Sequence, residues 1–276
     1  MLTATLLALG SALGHAIWNL IIKVCDDRDA AALAGNLIGG LISIPILVVV
    51  GPPALGVWKF ILGGALIQIF YVYGLAAAYT HGDFSLAYPV ARGTGALLVA
   101  LIGTVALGDH LAPIAWVGVA VVALSLLMLM GRGTTFTSIR WALFTGLMIS
   151  GYQAVDAMGT RRAASGLAYG YAVAVAVSVT VNVAGLARGK GPAVVRELRK
   201  FPVRLLAAGV LMPTAYTMVL VAFRDAPIGY VSVLRESSVL IGAVLGWLFL
   251  REGLGRYRVA SAGVMILGMA LLVTGG

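Results

Sequence analysis

Apolar residues run in long, nearly unbroken stretches along the whole chain, and polar residues collect in short gaps between them. Ten such stretches, each about 20 residues long, have the length a helix needs to cross the hydrocarbon core of a bilayer. They fall near Leu2–Ile22, Ala30–Val50, Phe60–Tyr79, Phe84–Leu107 and Pro113–Met130, then Trp141–Thr160, Gly166–Ala187, Leu205–Ala222, Ile228–Leu250 and Val259–Thr274. The gaps carry turn and charge signals such as Asp26-Asp27-Arg28-Asp29, Gly51-Pro52-Pro53 and Gly108-Asp109-His110, with a basic stretch at Arg188–Arg204. The pattern predicts an all-α integral membrane protein with ten transmembrane helices.

Composition supports that reading. The 276 residues are 61% hydrophobic and only 11% charged, with mean hydropathy +1.03, whereas a soluble domain is about a quarter charged. The alternating segments of a β-barrel are missing. The net charge of +9 reads as basic loops oriented against anionic lipid, not as a nucleic-acid surface. The single cysteine, Cys25, leaves no internal disulfide or cysteine-rich metal site. The first apolar stretch lacks a basic leader and reads as a retained helix, not a cleaved signal peptide.

An internal repeat organises the chain. A constant offset of 143 residues pairs Tyr73 with Tyr216, Val90 with Val233, Arg92 with Arg235, Gly103 with Gly246 and Asp109 with Glu252. An offset of 137 pairs His15 and Asn19 with Tyr152 and Asp156. Five spans per repeat is an odd number, so the halves, residues 1–131 and 138–276, must enter the membrane from opposite sides. Inverted repeats of this kind place a binding site at the midplane between them.

The motifs carry a family resemblance. Trp18-Asn19 and Lys23 close the first span, Tyr88-Pro89-Val90-Ala91-Arg92-Gly93 lies in the fourth, and Ala226-Pro227-Ile228-Gly229-Tyr230 leads to Leu234-Arg235-Glu236-Ser237-Ser238 in the ninth. The fourth and ninth spans end in Leu107-Gly108-Asp109 and Leu250-Arg251-Glu252. Together these resemble the EamA-type permeases of the drug/metabolite transporter superfamily. The resemblance implies a ten-helix carrier that exports amino acids or related small polar metabolites, by alternating access around a cavity lined by spans one, three, four, six, eight and nine. Other members of the superfamily move sugars, nucleotide conjugates or drugs. Arg235 beside Glu236 departs from the family pattern. A bacterial inner membrane, a small-molecule substrate, no cofactor, and a monomer or homodimer are the matching expectations.

Ionisable groups inside apolar runs are costly and mark candidate sites. Arg92 and Tyr88 share a helical face; Arg92 either binds a carboxylate or other anion or serves as a structural arginine. Arg235 and Glu236 are adjacent and point about 100° apart on a helix, so one lines a cavity while the other pairs across an interface. Asp156 with Tyr152, and Asn19 with His15, form further faces, and Tyr73 and Tyr216 are candidate pocket walls. The substrate-binding candidates are therefore His15, Asn19, Tyr73, Tyr88, Arg92, Tyr152, Asp156, Tyr216 and Arg235. Asp156, Glu236 and His15 are the candidates for proton coupling. Each has a structural alternative as an ion pair or packed side chain.

Enzyme signatures are missing: there is no HExxH, no G-x-S-x-G, and Gly189-Lys190-Gly191 lacks the Ser or Thr of a phosphate loop. A membrane enzyme on a lipid-linked substrate and a channel or facilitator remain as other classes. Two orientations also stand. Thirteen basic residues in odd-numbered loops against four in even-numbered ones put both termini outside, whereas the resemblance implies both inside.

Overall fold

In hydrocarbon every backbone N–H and C=O must be satisfied within its own segment, so apolar runs of this length fold as helices. The computed structural model describes residues 1–80, 84–129, 135–250 and 256–275; the side chains of residues 76, 79–80, 84–89 and 256–258 fall outside the described part. Among the described residues there is no strand. In chain order the helices are α1 (Leu2–Lys23), α2 (Arg28–Val50), a 3-10 turn (Leu55–Val57), α3 (Trp58–Thr80), α4 (Phe84–Ala106) and α5 (Pro113–Leu127). There follow α6 (Phe136–Arg162), α7 (Gly166–Ala187), α8 (Gly191–Lys200), α9 (Pro202–Asp225), α10 (Ile228–Arg235), α11 (Ser237–Leu250) and α12 (Arg256–Thr274). Six described segments are long and apolar enough to cross a membrane, and Val90–Ala106, Pro113–Leu127 and Val259–Thr274 are shorter apolar helices.

Two features depart from the sequence pattern. The run Ile228–Leu250 remains one 23-residue span, as its sequence predicts, but its hydrogen-bond ladder breaks at Glu236, which stays helical (φ −63°, ψ −16°) between α10 and α11. There the ladder tightens: Glu236 N–H donates to Val233 O (3.0 Å) and Val239 N–H to Glu236 O (2.9 Å), each spanning three residues instead of four. The basic stretch, read as a loop, contains α8. Pro192 sits in its first turn, Val194 and Glu197 face inward, and Arg199 and Lys200 close its last turn, where cations favour the helix dipole.

The small-residue pairs explain the packing. Without a hydrophobic driving force between helices in lipid, association rests on close approach of small residues. Gly10 and Gly14 of α1 meet Met218 and Ala215, Gly35 and Gly39 of α2 meet Met212 and Gly209, and Gly166 and Gly170 of α7 meet Val221 and Thr217. All six contacts are with α9, which is therefore the helix around which α1, α2 and α7 gather. The Gly242 and Gly246 pair of α11, at the same spacing, behaves differently, since nothing lies within 4 Å of a Cβ added at Gly242. On the other side of the bundle α6 packs between α3 and α4, and α5 pairs with α12.

The α5–α12 contact is backbone against backbone: a Cβ at Gly118 would come within 2.6 Å of Gly268 O and Leu272 N. Neither atom is a flexible side chain, so the helices must separate to admit a methyl. Gly118→Ala is expected to lower unfolding stability by about 1–3 kcal/mol through overpacking. Gly242→Ala should be neutral or slightly stabilising, as Ala is the better helix former. Thermal unfolding of the two variants in one detergent checks this, and equal melting temperatures would refute the packing argument.

Outside the bundle the surface stays apolar, with Val48, Val49, Leu55, Val105, Val203 and Phe249 among the most exposed large side chains. That is the surface a lipid-facing bundle needs.

Candidate functional site

The interior is not purely apolar. Tyr152, Gln153 and Asp156 of α6 are all buried, Asp156 completely. Tyr169 of α7 donates its hydroxyl to Asp156 Oδ1 at 3.2 Å, and Tyr216 of α9 donates to Oδ2 at 2.6 Å. On the α3 side the carboxylate lies against Gly64, where an added Cβ would sit 2.5 Å from Oδ1. Asp156 is thus enclosed by two hydroxyls and a bare helix backbone, and no ion pair to it occurs among the described residues.

Tyr216 links this carboxyl to the broken span. Its ring stands edge-on to Tyr152 at 6.0 Å, and Tyr152 in turn to Tyr71 at 6.0 Å. The Arg235 guanidinium lies 5.6 Å from the Tyr216 ring centroid, while Arg235 Nη2 approaches His15 Nδ1 at 3.4 Å. His15 is held edge-on by Trp18 at 4.8 Å. One turn back, Ser232 Oγ donates to Gln153 Oε1, fastening α10 to α6.

Glu236, next in sequence, points the other way. Its Oε2 accepts from Arg92 Nε of α4 at 2.8 Å, and both side chains are 8% exposed. The two repeat-related arginines therefore flank the break differently: Arg92 is paired to a carboxylate, and Arg235 rests on Tyr216 and His15. The divergence follows from the roughly 100° between neighbouring helical positions.

The remaining sequence candidates lie apart. Asn19 is exposed and donates Nδ2 to His15 O of its own helix at 2.7 Å. Tyr73 is 62% exposed and packs edge-on to Trp141 at 5.7 Å, away from the Asp156 group. Tyr88 lies in α4, but its side chain is outside the described residues.

Sequence reasoning passed over Tyr169 and the charged group at the end of the bundle where α1 begins. Gly108, at φ +72°, turns the chain out of α4 in a conformation suited to glycine. Asp109 Oδ2 then accepts from Ile228 N–H at 2.7 Å, capping α10, and Oδ1 pairs with Arg161 Nη2 at 2.8 Å. Arg161 also donates to Phe223 O (2.8 Å) in the last turn of α9 and to Ala226 O (3.2 Å) just past it. Arg224 returns the contact, donating to Thr160 O (3.1 Å) and Ala163 O (2.7 Å) at the end of α6. Each helix thus satisfies the other's orphan carbonyls, and Thr5 and Tyr230 share a hydrogen bond of 2.8 Å across the same end. The signal for Asp109 was its place in the Leu107-Gly108-Asp109 helix end.

The opposite end is held differently. The acidic run before α2 binds α8 and the turn before it: Lys190 Nζ reaches Asp27 Oδ2 at 3.3 Å and Asp29 Oδ2 at 3.4 Å, and Lys200 pairs with Asp26. Asp27 caps α2; the Ala30 N–H, and after it Lys190, hold its carboxyl below the usual aspartate range. The Asp27 hydrogen bond raises the Lys190 ammonium correspondingly.

Two pockets open at the periphery. One of about 400 Å³ is lined by Ala106, Leu107, Met158, Arg161 and Arg162; another of about 290 Å³ lies between α2, α7 and α8. Neither touches Asp156, Arg235 or Glu236. Asp156, Arg235 and Glu236 are buried, and the Asp109–Arg161–α10 contact lies at the end of the bundle where α10 begins.

Asp109→Asn keeps an acceptor for Ile228 N–H but removes the charge facing Arg161. Hydrogen bonds to charged groups contribute about 1.5–3 kcal/mol, so opening at this end should rise roughly tenfold or more. In a Cys25→Ser background, a Val231→Cys reporter should react correspondingly faster with a water-soluble maleimide. An unchanged rate would show that the ion pair does not hold this end shut.

A model of the EamA-like transporter family matches residues 136–274 of this chain. Twenty-eight chains of solved structures match as well; one, described only as "Crystal structure of protein", superposes with a TM-score of 0.77 at 16% identity, over 98% of this chain and 98% of that one. At that identity the likeness shows the fold alone. No curated protein matches.

Proposed function

The chain belongs to the EamA-like transporter family, of the drug/metabolite transporter superfamily, whose members are multi-pass membrane transporters, and on that premise we propose that it is a secondary carrier exporting amino acids or related small polar metabolites. Its ten spans form two inverted five-helix repeats, residues 1–131 and 138–276, and work by alternating access around the midplane. The observation that carries the reading is the broken ninth span. α10 is fastened to α6 by Ser232–Gln153, to α1 by Arg235–His15 and to α4 by Glu236–Arg92. Its outer end is plugged by Asp109. A short helix held by four reversible polar contacts is the element a rocking mechanism can shift between two arrangements.

Within this reading the solute lies against Arg235, His15, Tyr216 and Tyr152. Asp156 moves the coupling proton, because its partners are neutral hydroxyls that tolerate either protonation state. The Arg92–Glu236 pair holds α4 to the break. The carrier acts as a monomer or homodimer in a bacterial inner membrane.

The test is counterflow. Proteoliposomes loaded with an unlabelled amino acid should draw in the labelled one transiently above equilibrium, as a carrier does and a channel does not. A panel covering all proteinogenic amino acids that gives no counterflow, under any imposed gradient, refutes the proposal.

A further inference from the structure

Arg92 is occupied by an internal carboxylate, which leaves Arg235 as a buried guanidinium, 7% exposed, that makes no ion pair among the described residues. Its Nε is buried and has no hydrogen-bond partner, although Nη2 approaches His15. A guanidinium in this position is far costlier than a paired one, and it gains most from an anion. Asp156 does not serve, because the Tyr216 ring stands between the two.

Two more donors are orphaned beside it. Ser237 and Ser238 open α11 at the break, are 7% and 4% exposed, and both hydroxyls lack a partner. Ser238 is three residues beyond Arg235, hence on the same side of the span. From α1, Ser11 adds a third orphan hydroxyl, fully buried, one turn from His15. Buried donors are ordinarily paired, so several at one kink with a lone cation need a common acceptor.

We infer that the break between α10 and α11 is the seat of the solute's carboxylate. Arg235 Nε and the Ser238 hydroxyl donate to its oxygens. The inference rests on the carrier reading above and adds the chemistry by which the solute is chosen. One unpaired cation matches one negative charge, so the seat selects a monoanionic carboxylate over a phosphonate dianion. The same arrangement explains why Arg235 and Glu236 stand side by side: one binds the solute's acid while the other closes the break onto α4.

The experiment uses the full chain in nanodiscs with three matched sets of probes: L-amino acids, their carboxamides, and their aminophosphonic analogues. Affinity is read by thermal shift, and movement by competition in counterflow. The acids are expected to bind at least roughly tenfold tighter than the amides, the scale of a charge-assisted contact. Ser238→Ala, which removes one oxygen, should shrink that gap several-fold while leaving the ligand-free melting temperature unchanged, whereas Ser237→Ala, on the opposite side of the helix, should leave the gap as it is. Arg235→Lys keeps the charge without Nε and should also narrow it. Equal binding of acids and amides, with counterflow intact, overturns the seat and leaves the carrier standing. Tighter binding of the phosphonates overturns the choice of carboxylate. No binding or movement of any probe overturns both readings.

Discussion

Glu236→Gln is expected to destabilise the protein by about 3–5 kcal/mol, because it removes the buried carboxylate that accepts from Arg92 Nε. The two side chains are each 8% exposed and meet at 2.8 Å, so water cannot replace the missing partner. The converse holds for Arg92→Met, which strands Glu236. Replacing both, as Arg92→Met with Glu236→Gln, removes two desolvated charges together and should recover most of the loss, since buried ion pairs are often worth little relative to neutral packing. The strong non-additivity is the signature, read from unfolding of the two single variants and the double in one detergent. Additive losses would show that each charge has its main partner elsewhere. Transport separates two roles for the pair: a stable double variant that still exchanges solute makes it a clamp, and a stable but inactive one makes it part of the moving machinery.

The helices were legible because span length and apolar run length are the same quantity in a bilayer. The break at Glu236 was not, because Ile228–Leu250 is continuously apolar on both sides of it; the adjacent charges Arg235 and Glu236 were the trace it left. The repeat frame pairs Arg92 with Arg235 and Tyr73 with Tyr216, and the structure gives the two tyrosines unlike surroundings. Those positions match at offset 143, yet α9 is surrounded by α1, α2 and α7 while α3 turns Tyr73 outward against Trp141. Equivalent sequence positions carry equivalent chemistry only where their helices are equally enclosed. Tyr169 was invisible for another reason. Its partner Asp156 lies 13 residues away on a different helix, and no periodicity links them. The α8 helix was hidden by its charge, although Val194 and Leu198 at i,i+4 hinted at a face.

Asp156→Asn should uncouple transport while sparing exchange. The side chain is fully buried, and its oxygens are held by the hydroxyls of Tyr169 and Tyr216 at 3.2 and 2.6 Å. A carboxyl among neutral donors can gain or lose a proton without breaking an ion pair, whereas Glu236 would have to abandon Arg92 to do so. Asparagine keeps an oxygen that accepts from either tyrosine and fits beside Gly64, but it carries no exchangeable charge. Accumulation driven by an imposed pH gradient should therefore fall to the level of protein-free liposomes, and counterflow should continue at the wild-type rate. Loss of counterflow in equal measure would place Asp156 in the solute site itself. Unchanged accumulation would move the proton to His15 or Glu236. The link through Tyr216 makes the first result specific: that ring touches Asp156 at its hydroxyl and Arg235 at its face. On the proposed mechanism, a change of charge on the carboxyl reaches the guanidinium through this one aromatic side chain and couples proton loss to solute release.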